Sequence, residues 1–519
     1  QPMSSSCGRW HFVFNGEIYN YLELREYLLT DSSINIEDFT GKSDTEVLFK
    51  WLINYGVNGL NKVRGMYSFC FYDSLEKKAL LCRDPYGIKP LYVWEGGSGE
   101  IAFSSEIRAL IASGLPSIEL NYLSIFNFLQ FGSIPEPTTI LSSINRIPAG
   151  YCLEWEKSKS RLFELNTLPE SLNFSNYSQT LPENQYIKIA RESIQSSINQ
   201  HLNADVDVGL FLSGGLDSGA LLALSPRKLD TFTIGFSDGI NKHKLDESNI
   251  ASRLANHFGC RNTPLYLNRE KVSDWLPDFF QAQDQPSVDG FNMWCISKFV
   301  SKNGFKVALS GVGGDELFGG YPSFSFVPKY LRYRQLIGLF SPSVSRILKF
   351  NNSRTLQRIA FWMESEPSIT SSYLFFRSIF TPNEISKIFF NWNFPMPNIK
   401  PSSEPPSYLD VKSKVAWLEA SKYLRNQLLP DCDVMSMAHG LEVRLPFVDN
   451  QLSESISQIP TDIRLAKGKK ILVNAVPELP DWFNNQPKRG FSLPFQFWLQ
   501  DSNCEFSNYI NTPNIPKII

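Results

Sequence analysis

The stretch VDVGLFLSGGLDSGALLAL, residues 206–224, decides the fold of the larger part of this chain. Its apolar beginning predicts a buried strand, its glycine-rich centre a tight turn, and its GALLAL end a helix. The segments that follow, TFTIGF, ESNIASRLANHFG, NTPLYL and KVALSG, continue this alternation of strands and helices. Strands that alternate with helices predict a doubly wound parallel sheet, in which ligands bind at the carboxyl ends of the strands.

The centre of that stretch, SGGLDS from Ser213 to Ser218, has the residues of a phosphate-binding turn. Bare backbone amides and the positive end of the following helix dipole converge on one point, which suits a phosphate or pyrophosphate. Asp217 would hold a magnesium ion at this point. The alternative is a tight strand-to-helix turn that binds no ligand.

A second glycine-rich stretch, VALSGVGGDELFGGY at 307–321, follows the fourth predicted strand. Two strand ends of one parallel sheet can bring Asp217 and Asp315 onto the same Mg²⁺, which would neutralise a triphosphate and its pyrophosphate leaving group. The alternative is a pair of unrelated turn aspartates. Lys488, in the loop QPKRGFSLP, is by this reasoning an ordinary solvated lysine.

The first part of the chain, from Trp10 to about Leu165, is dominated by short strands and turns. WHFVFNGE, MYSFCFYD, KALLCRD and PLYVWEGGSGEIAFSSE alternate apolar and polar positions, and YLELREYLL indicates a helix. The next segment is rich in Ser, Asn and Pro and predicts a linker. We therefore expect a sheet-rich domain at 1–165, a linker at 166–184 and a second domain at 185–519, which turns aromatic and helical beyond Tyr321.

The composition favours small-molecule chemistry. The 519 residues include 50 Lys+Arg and 52 Asp+Glu, and this formal net charge of −2 lacks the basic footprint of a nucleic-acid binder. The eight cysteines form no C-x-x-C pair, so their spacing suggests neither a zinc site nor a disulfide framework. No apolar run is long enough for a membrane span, and the signal-peptide pattern is missing. We expect a soluble protein of the reducing cytoplasm with small-molecule substrates and no nucleic-acid or membrane partner; a homodimer stays open.

Ten motifs in register resemble glutamine-dependent asparagine synthetases. SGGLDS, TFTIGF, SGVGGDELFGGY, MAHGLEVRLPFVD and QPKRGF resemble the synthetase domain of that family, and FNGEIYNYLELREYL, KSDTEVL, GMYSFCFYD, RDPYGIKPLY and FSSEIRAL resemble its glutaminase domain. The resemblance implies a mixed α/β chain. An Ntn-hydrolase-like glutaminase sandwich would precede a doubly wound parallel-sheet ATP-pyrophosphatase domain with a helical C-terminal part.

The resemblance also implies roles for residues of the second domain. Asp217 and Asp315 match the magnesium ligands, and Lys488 matches a lysine that stabilises charge in the adenylation and amide-forming steps. The residues implied to surround ATP are the pyrophosphate-binding turn, backbone positions around adenosine and a phosphate-facing lysine: Leu212, Ser213, Gly214, Gly215, Leu216, Asp217, Ser218, Ile234, Ser310, Gly311 and Lys469.

In the first domain, Asn15 and Gly16 match the oxyanion hole, while Glu17 and Asp44 match groups that hold the amino-acid moiety of glutamine. An Asn side chain and a Gly amide can donate two preorganised hydrogen bonds to an oxyanion, worth about 3–4 kcal/mol each. Asn-Gly is also a common hairpin turn. Glu442 and Arg444, in GLEVRLPF, read as a buried structural ion pair or as a substrate clamp, and we favour the structural pair.

The chain departs from the family at its N-terminus. It begins with Gln1, reaches WHFVFN within ten residues, and lacks both the N-terminal cysteine nucleophile and the R-G-P-D segment of the family. Cys7 precedes Asn15 by only eight residues. In an extended strand of ~3.3 Å per residue it would lie about 25 Å from the oxyanion hole. We therefore expect an incomplete glutaminase domain in which Cys7 is not the nucleophile. The chain as given would lack glutaminase activity. It would be either a fragment of a longer protein or an enzyme that depends on free ammonia.

A second departure concerns the acceptor. Where the family reads S-G-E-G-x-D-E this chain reads SGVGGDE, so Val312 stands at the position of a glutamate thought to assist adenylate formation or ammonia attack. A valine cannot take a proton. Relatives that amidate other carboxylates, including some tied to cell-surface sugar synthesis, also vary here, so the acceptor stays open between aspartate and another carboxylate such as a sugar acid.

The function implied by the resemblance is a ligase of asparagine biosynthesis with ATP and Mg²⁺ as cofactors. An acceptor carboxylate would be adenylated by Mg-ATP, and ammonia, free or from glutamine, would then displace AMP. Thiolases or ligases that act on tRNA share an S-G-G-x-D-S loop, but the balanced charge and the missing C-x-x-C pair argue against them. A non-catalytic nucleotide-binding relative is a further alternative, because of Val312 and the missing nucleophile.

Overall fold

A computed structural model of the chain describes residues 2–31, 39–165, 181–237, 246–337, 345–348, 353–399, 402–486 and 493–498. The predicted linker lies outside the described residues except for 181–184. No helix in these described ranges is long and apolar enough to cross a membrane.

The first domain contains two antiparallel sheets. Its strands are β1 (Met3–Ser4), β2 (Trp10–Ile18), β3 (Gly65–Asp73), β4 (Lys78–Arg83), β5 (Tyr92–Glu95), β6 (Ile101–Ser104), β7 (Ile144–Arg146), β8 (Tyr151–Glu156) and β9 (Lys159–Glu164). They form one sheet in the order β1-β2-β3-β4-β8-β9 and a second in the order β6-β5-β7. The helices are α1 (Tyr21–Asp31), α2 (Asp44–Tyr55), α3 (Ile107–Ala112) and α4 (Tyr122–Phe131), with a 3-10 helix at Gly56–Lys62.

These elements stack in four layers. Alternating side chains of the larger sheet, such as Phe12 and Phe69, pack on α1 and α2 in one core. The opposite face of that sheet packs on the smaller sheet, where Leu81 and Val93 share a second core. Helix α3 covers the outer face of the smaller sheet through Ile107 and its neighbours. The order helix, sheet, sheet, helix confirms the predicted sandwich.

The second domain is built on a parallel sheet. Its strands are β10 (Val208–Phe211), β11 (Asp230–Phe236), β12 (Asn262–Leu267), β13 (Val307–Leu309) and β14 (Glu442–Arg444), in the order β12-β11-β10-β13-β14. Every neighbouring pair in this sheet is parallel. The order reverses at β10, which is where ligands bind in doubly wound sheets. The short strand β14 was not predicted, because three residues carry no readable period.

Helices cover both faces of the parallel sheet. They are α5 (Glu183–His201), α6 (Leu216–Leu224), α7 (Ser248–His257), α8 (Arg269–Ala282), α9 (Phe291–Lys302) and α10 (Gly314–Phe318). Strand β13 shows the two-sided burial, since Ala308 belongs to the core with α8 and α9 while Val307 and Leu309 belong to the core with α5, α6 and α7. The predicted doubly wound sheet is therefore confirmed.

Apart from β14, the described elements beyond Tyr321 are helical, as predicted. It contains α11 (Ser323–Ile337), α12 (Arg354–Glu364), α13 (Ile369–Arg377), α14 (Pro382–Asn391), α15 (Val411–Leu418), a π-helix (Glu419–Leu428), α16 (Leu429–Met437), α17 (Asn450–Ser457), α18 (Thr461–Arg464), α19 (Lys470–Ala475), α20 (Asp481–Asn484) and α21 (Phe495–Trp498).

The two domains are joined by buried charged and polar contacts. Lys89 of the first domain lies 2.7 Å from Asp433 of the second, and both residues are buried. Arg64 donates two hydrogen bonds to the carboxylate of Asp449, at 2.7 and 2.8 Å. Burial alone would lower the pKa of Lys89, but the Asp433 carboxylate raises it above its usual value. The interface therefore depends on ions that are paired only while the domains are in contact.

We expect Lys89→Met to lower the free energy of unfolding by about 3–5 kcal/mol, because it leaves the Asp433 charge buried and unpaired. Lys412→Met is the matched control, since its partner Asp462 is 91% exposed and such surface pairs contribute below about 1 kcal/mol. Equilibrium unfolding in urea measures both variants. Equal, small losses in the two variants would contradict the importance of the buried pair.

Candidate active site

A cavity of about 330 Å³ opens at the carboxyl ends of β10, β11 and β13. It brings together most of the residues predicted around ATP. Those that line it are Leu212, Ser213, Asp217, Ser218, Ile234, Ser310 and Gly311. Val312 and Asp315 line the same cavity. Gly214, Gly215 and Leu216 belong to the same turn after β10, which leads into α6.

The turn after β10 is held by its own serines and by a carboxylate. The amide of Gly215 donates to Ser213 Oγ at 3.1 Å, and Ser213 N donates to Ser218 Oγ at 3.1 Å. The amide of Gly214 donates to Glu247 Oε2 at 3.0 Å. A carboxylate oxygen thus already accepts from an amide of the turn. This contact shows that the turn can donate a hydrogen bond to an anion. Glu247, immediately before α7, was missed because no motif marks it.

Two aspartates from different strand ends meet on one lysine. Lys469 Nζ lies 2.6 Å from both carboxylate oxygens of Asp217 and 2.5 Å from Asp315 Oδ1. Lys469 is only 4% exposed. Burial alone would lower the pKa of Lys469, yet the two carboxylates raise it above its usual value, so the lysine stays charged. The interpretation of Asp217 and Asp315 as unrelated turn aspartates is therefore wrong.

The glycines of the second glycine-rich stretch make room for these three side chains. A Cβ at Gly314 would overlap Asp217 Oδ1, and a Cβ at Gly320 would overlap Asp315 Oδ1 and Lys469 Cε. Any side chain at either position would push the carboxylates apart. The backbone is bare at these points because the two aspartates and the lysine pass against it.

The carboxylate pair fits a magnesium ion that arrives with a nucleotide. Among the described residues, no group of three or more His, Cys, Asp or Glu side chains is placed to hold a metal ion. Mg²⁺ is usually bound through one or two carboxylates together with substrate phosphates rather than by a full protein cage. Asp217 and Asp315 supply two such carboxylates at one edge of the sheet.

The carboxyl group of Glu316, the residue after Asp315, is also buried at this site. Glu316 lines the cavity, and the hydroxyl of Tyr321 donates to its Oε1 at 3.0 Å. Its Oε2 has no hydrogen-bond partner among the described residues. Burial, followed by repulsion from Asp315 and Glu419, raises the pKa of Glu316 to about 8. Sequence reasoning missed Glu316, although it follows Asp315 directly.

Val312 forms part of an apolar side of the cavity. It is partly buried against the core that also contains Ile296, and Met293 and Leu428 pack against the same core. All four of these side chains line the cavity. Position 312, where the family has a glutamate, therefore contributes an apolar surface to the cavity and no carboxylate. Lys488, the predicted catalytic lysine, lies outside the described residues.

The predicted oxyanion-hole residues lie inside a strand. Asn15 and Gly16 pair with Ser68 and Tyr67 in the middle of β2, so the interpretation as a hairpin turn is wrong. The Asn15 side-chain amide donates to Ser105 Oγ at 3.2 Å. A Cβ at Gly16 would overlap the Met66 carbonyl, which explains why a glycine occupies this position.

The predicted glutamine-binding carboxylates lie next to that strand. Asp44, the first residue of α2, accepts from the amide of Ile18 at 2.9 Å. Glu17 Oε1 lies 3.1 Å from Arg444 of the second domain, and Arg444 Nε donates to Glu442 at 2.6 Å. Arg444 is 3% exposed. Glu442 and Arg444 thus form the expected structural ion pair, and Arg444 extends it across the domain interface.

Cys7 stands apart from these groups. It is exposed in the segment between β1 and β2, where its sulfur contacts Ser5 Oγ at 3.3 Å. The residues from Trp10 to Asn15 lie in β2, as the distance argument against Cys7 assumed.

Comparison with known proteins gives two family matches. Residues 190–510 match the model of the asparagine synthase family, and residues 1–165 match that of the glutamine amidotransferase domain. An asparagine synthetase [glutamine-hydrolyzing] 1 of Bacillus subtilis is 28% identical and is matched over 98% of this chain and 79% of its own.

Other relatives carry different names. A putative asparagine synthetase [glutamine-hydrolyzing] of Mycobacterium tuberculosis is 27% identical, over 95% of this chain and 76% of its own. The amidase chyE of Penicillium rubens is 24% identical, over 96% of this chain and 79% of its own. The chain is thus similar over almost its whole length both to proteins named for asparagine and to proteins that are not.

We expect Glu17 to make stability fall as pH rises. Burial, together with Glu442 and other nearby carboxylates, raises the pKa of Glu17 to about 7 despite Arg444, against 4.5 for an ordinary glutamate. The folded state holds this proton at a pH where the unfolded chain has lost it. The stabilisation is complete below about pH 4.5 and is lost as the pH rises through about 7. Urea unfolding of the wild type and Glu17→Gln over that range should show the wild type losing stability relative to the variant. Parallel profiles would contradict this assignment.

Proposed function

Because the chain belongs to the asparagine synthase family, we propose that it is an ATP-dependent amidotransferase that forms an amide through an acyl adenylate. The observation that carries the proposal is the convergence of Asp217, Asp315 and Lys469 beside the turn after β10. The family supports a ligase or amidotransferase, and the site offers two carboxylates for a metal ion and one ammonium group for the phosphates of a nucleoside triphosphate.

ATP binding would use the turn and the lysine together. The amide of Gly214 and the positive end of the α6 dipole would hold the pyrophosphate part of ATP, while the amides of Ser213 and Gly215 stay bonded to the serine hydroxyls that shape the turn. Glu247 would have to release the Gly214 amide to a phosphate oxygen. Lys469, already charged between two carboxylates, would share its ammonium group with the phosphates. Asp217 and Asp315 would hold Mg²⁺, which neutralises the triphosphate and the leaving pyrophosphate.

The chemistry would proceed in two displacements. A carboxylate oxygen of the acceptor attacks the α-phosphorus of ATP, and the bond from that phosphorus to the bridging oxygen breaks, releasing pyrophosphate. Ammonia then attacks the acyl carbon, AMP leaves with the C–O bond electrons, and the nitrogen loses a proton. The chain contributes mainly positioning and stabilisation of charge. Lys488 remains in the proposal as a further stabilising cation.

Asparagine formation from aspartate is the first candidate activity. Free ammonia or glutamine would donate the nitrogen, with Asn15 and Gly16 as the oxyanion hole and Glu17 and Asp44 as the glutamine-binding carboxylates. Glu17 already faces the guanidinium of Arg444, and above about pH 7, where the Glu17 carboxyl is ionised, it can hold a positive charge at this place. The ammonium group of glutamine would compete with or add to that contact.

A different carboxylate acceptor is the second candidate. It is favoured by the apolar side of the cavity formed by Met293, Ile296, Val312 and Leu428. Aspartate has two charged groups beyond the carboxylate that reacts, and these need polar partners. An acceptor with an uncharged substituent would pack on this side without that cost. The names of the amidase relatives agree with an acceptor outside asparagine synthesis.

Pyrophosphate release tests the proposed function. The protein is incubated with Mg-ATP and ammonium together with aspartate, other amino acids, sugar acids or apolar carboxylic acids, and each reaction is also analysed for the amide. Asp217→Ala should lower pyrophosphate release by about 100-fold or more, because a metal ligand contributes several kcal/mol to such a transition state. Asp230→Ala is the matched control, since Asp230 begins β11 at the opposite edge of the sheet.

The outcomes separate the candidates. Asp217-dependent release with aspartate alone, and asparagine as product, identifies the first candidate. Release with another acid while aspartate is inert identifies the second. Binding of Mg-ATP without release for any acid would contradict the proposed activity and favour a non-catalytic nucleotide-binding relative.

A further inference from the structure

Two cysteines lie side by side on neighbouring strands of the larger sheet of the first domain. Cys82 in β4 and Cys152 in β8 are directly opposite in the antiparallel pairing of these strands. Their sulfurs lie 2.6 Å apart. Both residues are fully buried, at 0% exposure, in the core that α1 and α2 cover.

The strand geometry comes close to the needs of a disulfide. Opposite residues of an antiparallel pair point to the same face of the sheet with Cβ atoms about 4.5–5.5 Å apart. A disulfide needs Cβ atoms at about 3.5–4.5 Å and sulfurs at about 2.05 Å. The two sulfurs are closer than unbonded thiols in ordinary contact, so only a small shift of the side chains separates them from bonding distance.

We propose that Cys82 and Cys152 form an intramolecular disulfide when the chain folds in the presence of a low-molecular-weight disulfide such as oxidised glutathione. One thiol loses its proton and attacks a sulfur of the oxidant, which gives a mixed disulfide and releases one reduced thiol. The second cysteine then attacks the sulfur of the first and releases the other. Two electrons and two protons leave the protein, and the oxidant becomes two thiols.

The burial of the pair decides when the bond forms. In the folded state, burial and the neighbouring sulfur raise the pKa of Cys82 well above its usual value, so it stays protonated and unreactive. The exchange therefore takes place before β4 and β8 close, or during a local opening that exposes the pair. Once formed, the bond is covered by the same core and is out of reach of reducing thiols.

The bond would brace the segment that carries the domain interface. Arg83 follows Cys82 directly, and the loop after it supplies Tyr86 and Lys89, which contact Ser453 and Asp433 of the second domain. A covalent link from Cys82 to β8 fixes the beginning of this loop. The inference rests on the strand register and on the contact between the two sulfurs, and it does not depend on the proposed function.

Refolding followed by peptide mapping tests the disulfide. Reduced, unfolded protein is refolded with a mixture of reduced and oxidised glutathione or with reduced glutathione only, then alkylated and digested without reductant. We expect one peptide pair linked through Cys82 and Cys152 in the oxidising sample and none in the reducing sample. Recovery of both cysteines as separate alkylated peptides from correctly refolded oxidised protein would overturn the proposal.

Single serine variants sharpen the assignment. Cys82→Ser and Cys152→Ser should each abolish the linked pair. Cys70→Ser is the matched control, because Cys70 is buried in the same sheet opposite Leu81 and should leave the link intact. A link that persists in Cys82→Ser, or that joins other cysteines, would also overturn the proposal.

A measurement on the wild type alone guards against variants that fail to fold. The oxidised protein should unfold at a higher urea concentration than the reduced protein, because the cross-link restricts the unfolded chain. Folded, reduced protein treated with diamide, a small two-electron oxidant, below its unfolding temperature should give the same linked peptide slowly through local opening. Equal unfolding midpoints and no linked peptide would count against the disulfide.

Discussion

The contact of Lys469 with Asp217 and Asp315 is the interaction on which the site depends. Two carboxylates that contact the same ammonium group are close enough to repel each other. The buried ammonium group of Lys469 is what allows both to remain at one point. The parallel sheet brings the ends of β10 and β13 side by side, and the glycines at 314 and 320 leave space for the three side chains. A nucleotide with its metal ion would enter a place where positive charge is already required.

Local motifs in the sequence predicted much of this arrangement. The strand, turn and helix around Ser213–Ser218 were predicted because their pattern lies in one short stretch of sequence. Asp315 was predicted because it lies in a glycine-rich stretch directly after a predicted strand. The contact between Lys469 and Asp217 joins positions more than two hundred residues apart, so only the resemblance pointed to that lysine. Glu247 was missed because a single carboxylate carries no pattern, and Cys82 with Cys152 because spacing along the chain does not show strand register.

The Asn15-Gly16 pair shows why a local motif can mislead. Asn15-Gly16 has the letters of a hairpin turn, yet the pairing of β2 with β3 places it in mid-strand. Arg444 could not be placed from sequence either. Its side chain contacts Glu17 of the first domain, while its backbone carbonyl accepts from the amide of Ser310 at 3.0 Å, in the second glycine-rich stretch. One buried residue therefore touches both predicted sites.

The most direct measurement is a crystal structure of the protein with Mg²⁺ and a non-hydrolysable ATP analogue. The account predicts the analogue in the cavity at the ends of β10 and β13, with the metal bound by Asp217 and Asp315 and with Lys469 turned toward the phosphates. A nucleotide bound elsewhere, or Lys469 still bridging both aspartates with no metal between them, would contradict it.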